Sequence, residues 1–258
     1  MGTISHKQMF EMSRPTFITK KEGVTWCGLI CLIFLIPIFA ASFEGLVLDI
    51  IIMGVFSLGY NLAFGHAGIV SLGHGMFFGL AAYTAGMLLS GVCNHIFMLF
   101  LGVIAASLVG FVTALAIFGR LKIGTAPITR VLFVVIFTLG ECYIVYHLFL
   151  SPLRLYTGGS NGLGGFLDTP VTIIGNLTLN LNSTSTMYLS VASLGIIAIA
   201  VMKWITYTPF MNIVHGIRED EIRTAFLGHS VFWAKVMVFT LSAFFSGVAG
   251  ILFISRYM

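Results

Sequence analysis

The sequence predicts an all-α, polytopic membrane protein of about seven transmembrane helices. Three observations carry that prediction. The chain is 58% hydrophobic, with a mean hydropathy of +1.04. Only 9% of its 258 residues are charged, far fewer than a soluble surface needs. Its apolar runs recur near the ~20 residues a helix requires to cross a ~30 Å hydrocarbon core. The net charge of +4 is modest and points to basic loops rather than to nucleic acid. Cys27, Cys31, Cys93 and Cys142 lie in or beside apolar runs. Their spacing is not that of a zinc site, and they are expected to be buried as small hydrophobes.

Residues 1–23 are polar and carry Lys7, Arg14, Lys20 and Lys21. They read as a cytoplasmic tail ahead of a membrane domain over 24–258. The polar lead-in and the lack of a small-residue cleavage site argue against a secretory signal. The first span is expected over 24–43, with Pro37 as a kink and Glu44 at its far end. A second span begins near Leu46 and enters a stretch interrupted by Gly59, Asn61, Gly65, His66, Gly68, Ser71, Gly73 and His74. Small residues there would let helices approach closely. Equally, they suit a broken helix whose unwound backbone faces a cavity. His66 and His74 read as packed, hydrogen-bonded histidines rather than a proton relay, since nothing nearby extends a chain. Nor do two histidines without further ligands make a metal site.

A third span ends near Ser90 and a fourth covers 96–118. Arg120, Lys122 and Arg130 mark the next loop as cytoplasmic. The fifth span, 131–150, carries Glu141, a carboxylate that serves either as an internal hydrogen-bonding group or as a pathway group. Residues 151–187 form an external loop. Its glycine run lacks a following Lys-Ser or Lys-Thr and is no phosphate cradle. Val171 to Ile174, a Gly175-Asn176 turn and Leu177 onward predict a small hairpin. Asn176 and Asn182 each open an N-x-Thr sequon, of consequence only in a glycosylating host.

A sixth span, 188–204, leads into a cytoplasmic loop over 205–231, and a seventh span covers 232–254. Of the 13 Lys and Arg, only Arg154 and Arg256 then fall outside. Arg218, Glu219, Asp220, Glu221 and Arg223 crowd into six residues of the loop. They predict one short helix outside the membrane, with the three acids in its first turn and a Glu219–Arg223 pair. Ile222, Ala225 and Phe226 would share an apolar face, and Gly228 would end it in the left-handed conformation. Such a run is also what an ordinary solvated loop looks like.

Several stretches resemble the LivM-type permeases of branched-chain amino acid ABC transporters. IREDEIRTAFLG, followed by VFWAKVMVFTLSAFFSGVAGILF, is similar to that family's AIRENE–ALG motif and its Ser/Ala/Gly-rich span. Gly59, Asn61, Leu62, Gly65, Gly68, Ser71, Leu72, Gly73, His74, Phe77, Phe78, Gly79, Ala82, Tyr83 and Thr84 match its GxxNLxxGxxGxxSLGHxxFFGxGAYT pattern. Thr138, Leu139, Gly140 and Glu141, and the external TGGSNGLGGF run over 157–166, look like two further family segments. The family's basic run before the AIRENE motif is absent; this chain has Met211-Asn212-Ile213-Val214-His215-Gly216. The resemblance covers about 46–254.

That resemblance implies an inner-membrane permease subunit importing a branched-chain or other amino acid, an amide or urea. Residues 217–228 would be the coupling helix that docks on an ATPase, with Ile217, Arg218, Glu219, Asp220, Glu221, Arg223 and Gly228 in that role. Asn61, Gly65, Gly68, Ser71, Gly73, His74 and Glu141 would belong to the translocation path. Implied partners are a homologous permease, two ATP-binding subunits, an external solute-binding protein and lipid. The chain has no GxxxxGK[ST] pattern, so ATP would bind on the partners and this polypeptide would be no enzyme. The competing expectation is a stand-alone channel or ion-coupled carrier for a small polar solute such as urea or an amide.

Overall fold

A computed structural model describes residues 26, 28, 31, 33–35, 37, 39, 41–91, 97–120, 127–162, 171–174, 177–179 and 184–257. The α-helices with defined bounds among the described residues are α1 (Glu44–Asn61), α2 (His74–Gly91), α3 (Phe97–Phe118), α4 (Pro127–Leu150), α5 (Arg154–Thr157), α6 (Thr184–Thr206), α7 (Pro209–Glu219), α8 (Glu221–Phe226) and α9 (Val231–Tyr257). Among the described residues, five helices are long and apolar enough to cross a membrane: α1 with its continuation to His66, α3, α4, α6 and α9. The apolar part of α2 is shorter, and the helix begins directly after a break in the chain. Most of the expected first span lies outside the described residues. What is described of it is helical and meets α6, where the Tyr188 hydroxyl donates to the Ile33 carbonyl at 2.8 Å and Lys203 Nζ lies 4.9 Å from the Trp26 ring.

The spans sit where hydropathy puts them, but their roles in packing differ sharply. The most apolar window of α9 is 67% buried, whereas that of α4 is 11% buried. So α9 is the hub, packed on α1, α2, α3 and α6, and α4 lies at the rim. Small residues make that hub possible, because lipid supplies no hydrophobic drive and helices must gain by close contact. A Cβ on Gly250 would overlap the Phe78 carbonyl, and one on Gly110 of α3 would overlap Ala243 Cβ. Leu48, Ile52, Phe77, Tyr188 and Phe239 fill the remaining space. The outer face of α4 shows Leu132, Ile136, Tyr143 and Ile144, an apolar surface suited to lipid or a neighbouring helix.

Beyond α4 the chain turns through Gly158, Gly159 and Gly162, whose φ values of 74, 61 and 70° favour glycine. The Thr157 hydroxyl closes this turn by donating to the Phe149 carbonyl at 2.6 Å. The expected hairpin is present. β1 (Val171–Ile174) pairs antiparallel with β2 (Leu177–Leu179), with a register shift between Thr172 and Ile174. Its Gly-Asn turn falls outside the described residues, as do Cys27 and Cys93. Cys31 is exposed and Cys142 half-buried, so neither is fully buried as expected, although Cys142 packs against the hydrophobic core.

The charged loop departs from the expected single helix. It is two helices, α7 and α8, broken at Asp220 (φ −155°, ψ 105°). The Asp220 carboxylate accepts from the Ile222 and Arg223 amides at 2.9 and 3.1 Å. It caps α8 instead of sitting in a first turn. Arg223 accordingly pairs with Asp220 at 2.9 Å, not with Glu219. Gly228 does adopt the left-handed conformation, at φ 87°.

Candidate functional site

Two features meet at one end of the bundle: the interrupted segment after α1, and the α7–α8 loop. Helix α1 does not stop cleanly. It widens into one π turn, Leu62–His66, a geometry that recurs where helices serve a function. Non-helical chain follows to Gly73. The Gly68 amide bonds back to the Phe64 carbonyl at 3.2 Å, and the Ile69 amide to Ala63 at 2.9 Å. Gly68 has φ 68°, which lets the chain reverse and run back along the bundle to His74.

The returning chain is held on both sides. The Leu72 amide donates to Thr138 Oγ1 of α4 at 3.2 Å, and Gly73 lies so close that a Cβ would overlap the Thr138 carbonyl. His74, buried at the start of α2, meets Ser242 of α9 with Nε2 and Oγ 2.7 Å apart. The Ser242 hydroxyl donates its one hydrogen to the Gly59 carbonyl at 2.7 Å, so His74 Nε2 is the donor in its contact with Ser242. Tyr60, Phe77 and Phe239 surround the imidazole with ring centroids 4.9 to 5.3 Å away. That is the packed histidine the sequence suggests. Ser71 is buried, with no hydrogen-bond partner for its hydroxyl among the described residues. Asn61 is exposed, but its side-chain oxygen lies where a Cβ on Gly65 would fall.

Between α2 and α4 lies an open cavity of about 300 Å³, walled by Tyr83, Cys142, Tyr146 and Phe149, with Gly75 and Gly79 as its floor. Glu141 is one helical residue from this wall. Its Oε1 accepts from Thr113 of α3 at 2.7 Å, while Oε2 is buried with no hydrogen-bond partner among the described residues. One oxygen is thus used for structure.

The α7–α8 loop is tied to the membrane helices rather than hanging free. Met211, Val214 and Ile217 are the buried face of α7, and Ile217 packs on Val231 and Ala234 of α9. On another face, Arg218 donates to the Gly65 carbonyl, and His215 Nε2 lies 2.7 Å from His66 Nδ1. Glu221 Oε1 accepts from both Arg130 of α4 and Lys235 of α9. These groups border a second cavity of about 190 Å³ with Gly68, Phe118 and Arg218 in its wall. Glu219 and Arg223 point outward, as do Ile222, Phe226 and Leu227, the last two 87% and 78% exposed.

The structure therefore brings Arg218 to Gly65 and Gly68, and Glu221 to α4 and α9, while Glu141 and His74 stand apart from each other on different helices. Sequence reasoning missed Thr113, Arg130, Thr138, His215, Lys235 and Ser242 as partners. Only Lys235 carried a signal. A lysine in the first turns of an apolar span calls for a counter-charge.

The fold and this site define a multi-pass membrane protein with a helical loop fixed against a broken span. The family described as the branched-chain amino acid transport system permease component matches residues 42–258, and the chain belongs to it. It is 29% identical over 227 residues to the high-affinity branched-chain amino acid transport system permease protein LivM of Escherichia coli (strain K12). It is 28% identical over the same length to LivM of Salmonella typhimurium (strain LT2). Each match takes in 78% of this chain and 50% of the relative, so the chain spans about half the length of the curated relatives it matches. No solved structure matches it.

Proposed function

We propose that this chain is a permease subunit of an ATP-binding-cassette importer of the inner membrane. Its solute is a branched-chain or other small amino acid, and its N-terminus is cytoplasmic. The observation that carries the reading is the α7–α8 loop. It exposes Ile222, Phe226 and Leu227 outward while Arg218 and Glu221 bind it to the broken span, α4 and α9. An exposed apolar cluster beside charge on a rigid support is what a protein partner docks on. The partner would be an ATP-binding subunit, with ATP held there. A homologous permease would complete the pathway, and an external solute-binding protein would deliver the amino acid. Glu219, Asp220, Glu221, Arg223 and Gly228 shape the docking loop. Asn61, Gly65, Gly68, Ser71, Gly73, His74 and Glu141 lie along the path. Movement of the loop on ATP binding and hydrolysis would shift the spans between two accessible states.

The test is purification from the native membrane followed by reconstitution. An ATPase should come down with the chain, and vesicles should take up leucine only with ATP and the binding protein present. Uptake that follows an ion gradient and ignores ATP would establish an ion-coupled carrier instead.

A further inference from the structure

We infer that Arg218 and His215 are the residues through which displacement of the α7–α8 loop is passed to the broken span, acting on Gly65 and His66 at the end of its π turn. This rests on the importer reading above. The two residues stand three apart on α7 and so share one face. Their targets are adjacent. Arg218 donates to the Gly65 carbonyl, and His215 meets His66 at 2.7 Å with the rings nearly parallel, 12° apart.

The choice of atoms has a physical reason. The last carbonyls of a helix have no partner within it and carry its negative end. Here the Phe64 and Ala63 carbonyls are taken by the Gly68 and Ile69 amides. Arg218 supplies a positive donor to the next carbonyl, Gly65, a charge-assisted bond stronger than a neutral one. The stem of Arg218 also lies against Gly68, with Cγ 3.2 Å from where a Cβ would be. Gly68 is the residue at which the chain reverses, so Arg218 touches the segment immediately before and at the turn. On its buried side α7 is packed through Met211, Val214 and Ile217. A displacement of α7 therefore reaches the 67–73 backbone through these two contacts, and through it Thr138 and His74.

Arg218 and His215 are positioning residues, and the test must separate transmission from mere stability. The complete transporter is reconstituted with wild-type chain, Arg218→Lys, Arg218→Ala, His215→Ala and His66→Ala/His215→Ala. ATP hydrolysis and leucine uptake are both measured per assembled complex. Arg218→Ala should hydrolyse ATP whether or not loaded binding protein is present. Its uptake per ATP should fall about tenfold, the size of effect that loss of one charge-assisted bond sets. The concentration of binding protein giving half-maximal uptake should not change. Arg218→Lys should recover part of the loss. The double histidine variant should be no worse than His215→Ala, because the pair acts as one link. Wild-type uptake per ATP in Arg218→Ala, or a loss that tracks only the amount of assembled complex, overturns the linkage while leaving the importer reading intact. Absence of ATP-driven uptake by the wild type overturns the importer reading and the linkage with it.

Discussion

One oxygen of Glu221 binds two cations from two different helices, Arg130 of α4 and Lys235 of α9. The side chains of Glu221 and Lys235 are each 10% exposed, and that of Arg130 is 22% exposed. This is an inward clamp, which separates Glu221 from its neighbour Glu219. Both acids belong to one sequence motif, yet only Glu219 faces outward.

The first prediction follows from the clamp. Glu221→Gln leaves two largely desolvated cations facing each other, and breaking such a buried pair costs about 3 kcal/mol. Thermal unfolding of the purified protein should show a clear drop in midpoint. Lys235→Met in the same background should restore part of it, since it removes an uncompensated charge. Glu219→Gln should stay within about 0.5 kcal/mol of wild type, as outward surface changes do. Equal losses at the two acids would show that the clamp contributes nothing.

The second prediction concerns His74 and Ser242. Ser242→Ala removes the acceptor for His74 Nε2 in a buried site, and an unsatisfied buried donor costs about 1–3 kcal/mol. His74→Phe removes both the donor and the need for the acceptor. The double variant should therefore be more stable than the sum of the singles by about 1 kcal/mol. Strict additivity in unfolding midpoints would mean that the two residues do not share this bond.

What the sequence told and what it hid can be read from these residues. The spans were legible because a run of apolar residues near 20 long has one reading in a membrane. Hydropathy alone does not say which span is central. The α3 window is the most apolar, at 2.4, yet α9, at 2.1, is the buried hub. The better signal was the small side chains of α9, with Ser242, Ser246, Gly247 and Gly250 spaced to admit neighbours. The family motifs located the chain break, and the structure gives its form as a π turn and a reversal at Gly68. The break at Asp220 was legible in principle, because aspartate is a strong cap. It was masked by two flanking acids that suit a first helical turn equally well. Partners such as Arg130 and Thr113 were invisible. They stand 91 and 28 residues from Glu221 and Glu141, and only folding sets such pairings.

The third prediction fixes sidedness. In a chain with Cys27, Cys31, Cys93 and Cys142 replaced by serine or alanine, single cysteines at Asn161 and Asn182 should react with an impermeant reagent applied to intact cells. A cysteine at Glu219 should react only after the membrane is opened. Labelling of the Glu219 position from outside would invert the assigned orientation, which otherwise follows from the distribution of Lys and Arg.

The last prediction uses the glycines to ask whether the cavity between α2 and α4 is on the path. Gly73 cannot report on this. A Cβ there would overlap the Thr138 carbonyl, so valine should reduce assembly whatever the role of the segment. Gly102 and Gly110 of α3, in a span that reads as plain, are equally tight; the Ala81 carbonyl and Ala243 Cβ stand where a Cβ would go. These three valine variants should lose folded protein, and none isolates transport. At Gly65 a Cβ meets only the exposed Asn61 side chain, which can turn aside. Gly75 and Gly79 are different. A Cβ at either meets nothing within 4 Å, and both floor the cavity. Gly79→Val should therefore assemble at close to the wild-type level, because a Cβ there meets no described atom and valine replaces a residue of poor helix propensity. It would place added methyl groups in a space of about 300 Å³, opposite Tyr146 and Phe149. If leucine passes through that space, uptake per assembled complex should fall severalfold, and Gly79→Ala should fall less, in order of added volume. Full uptake by an assembled Gly79→Val transporter would remove the cavity from the path. Loss of assembly in that variant, despite the open space, would mean that the groove is filled by a neighbouring helix.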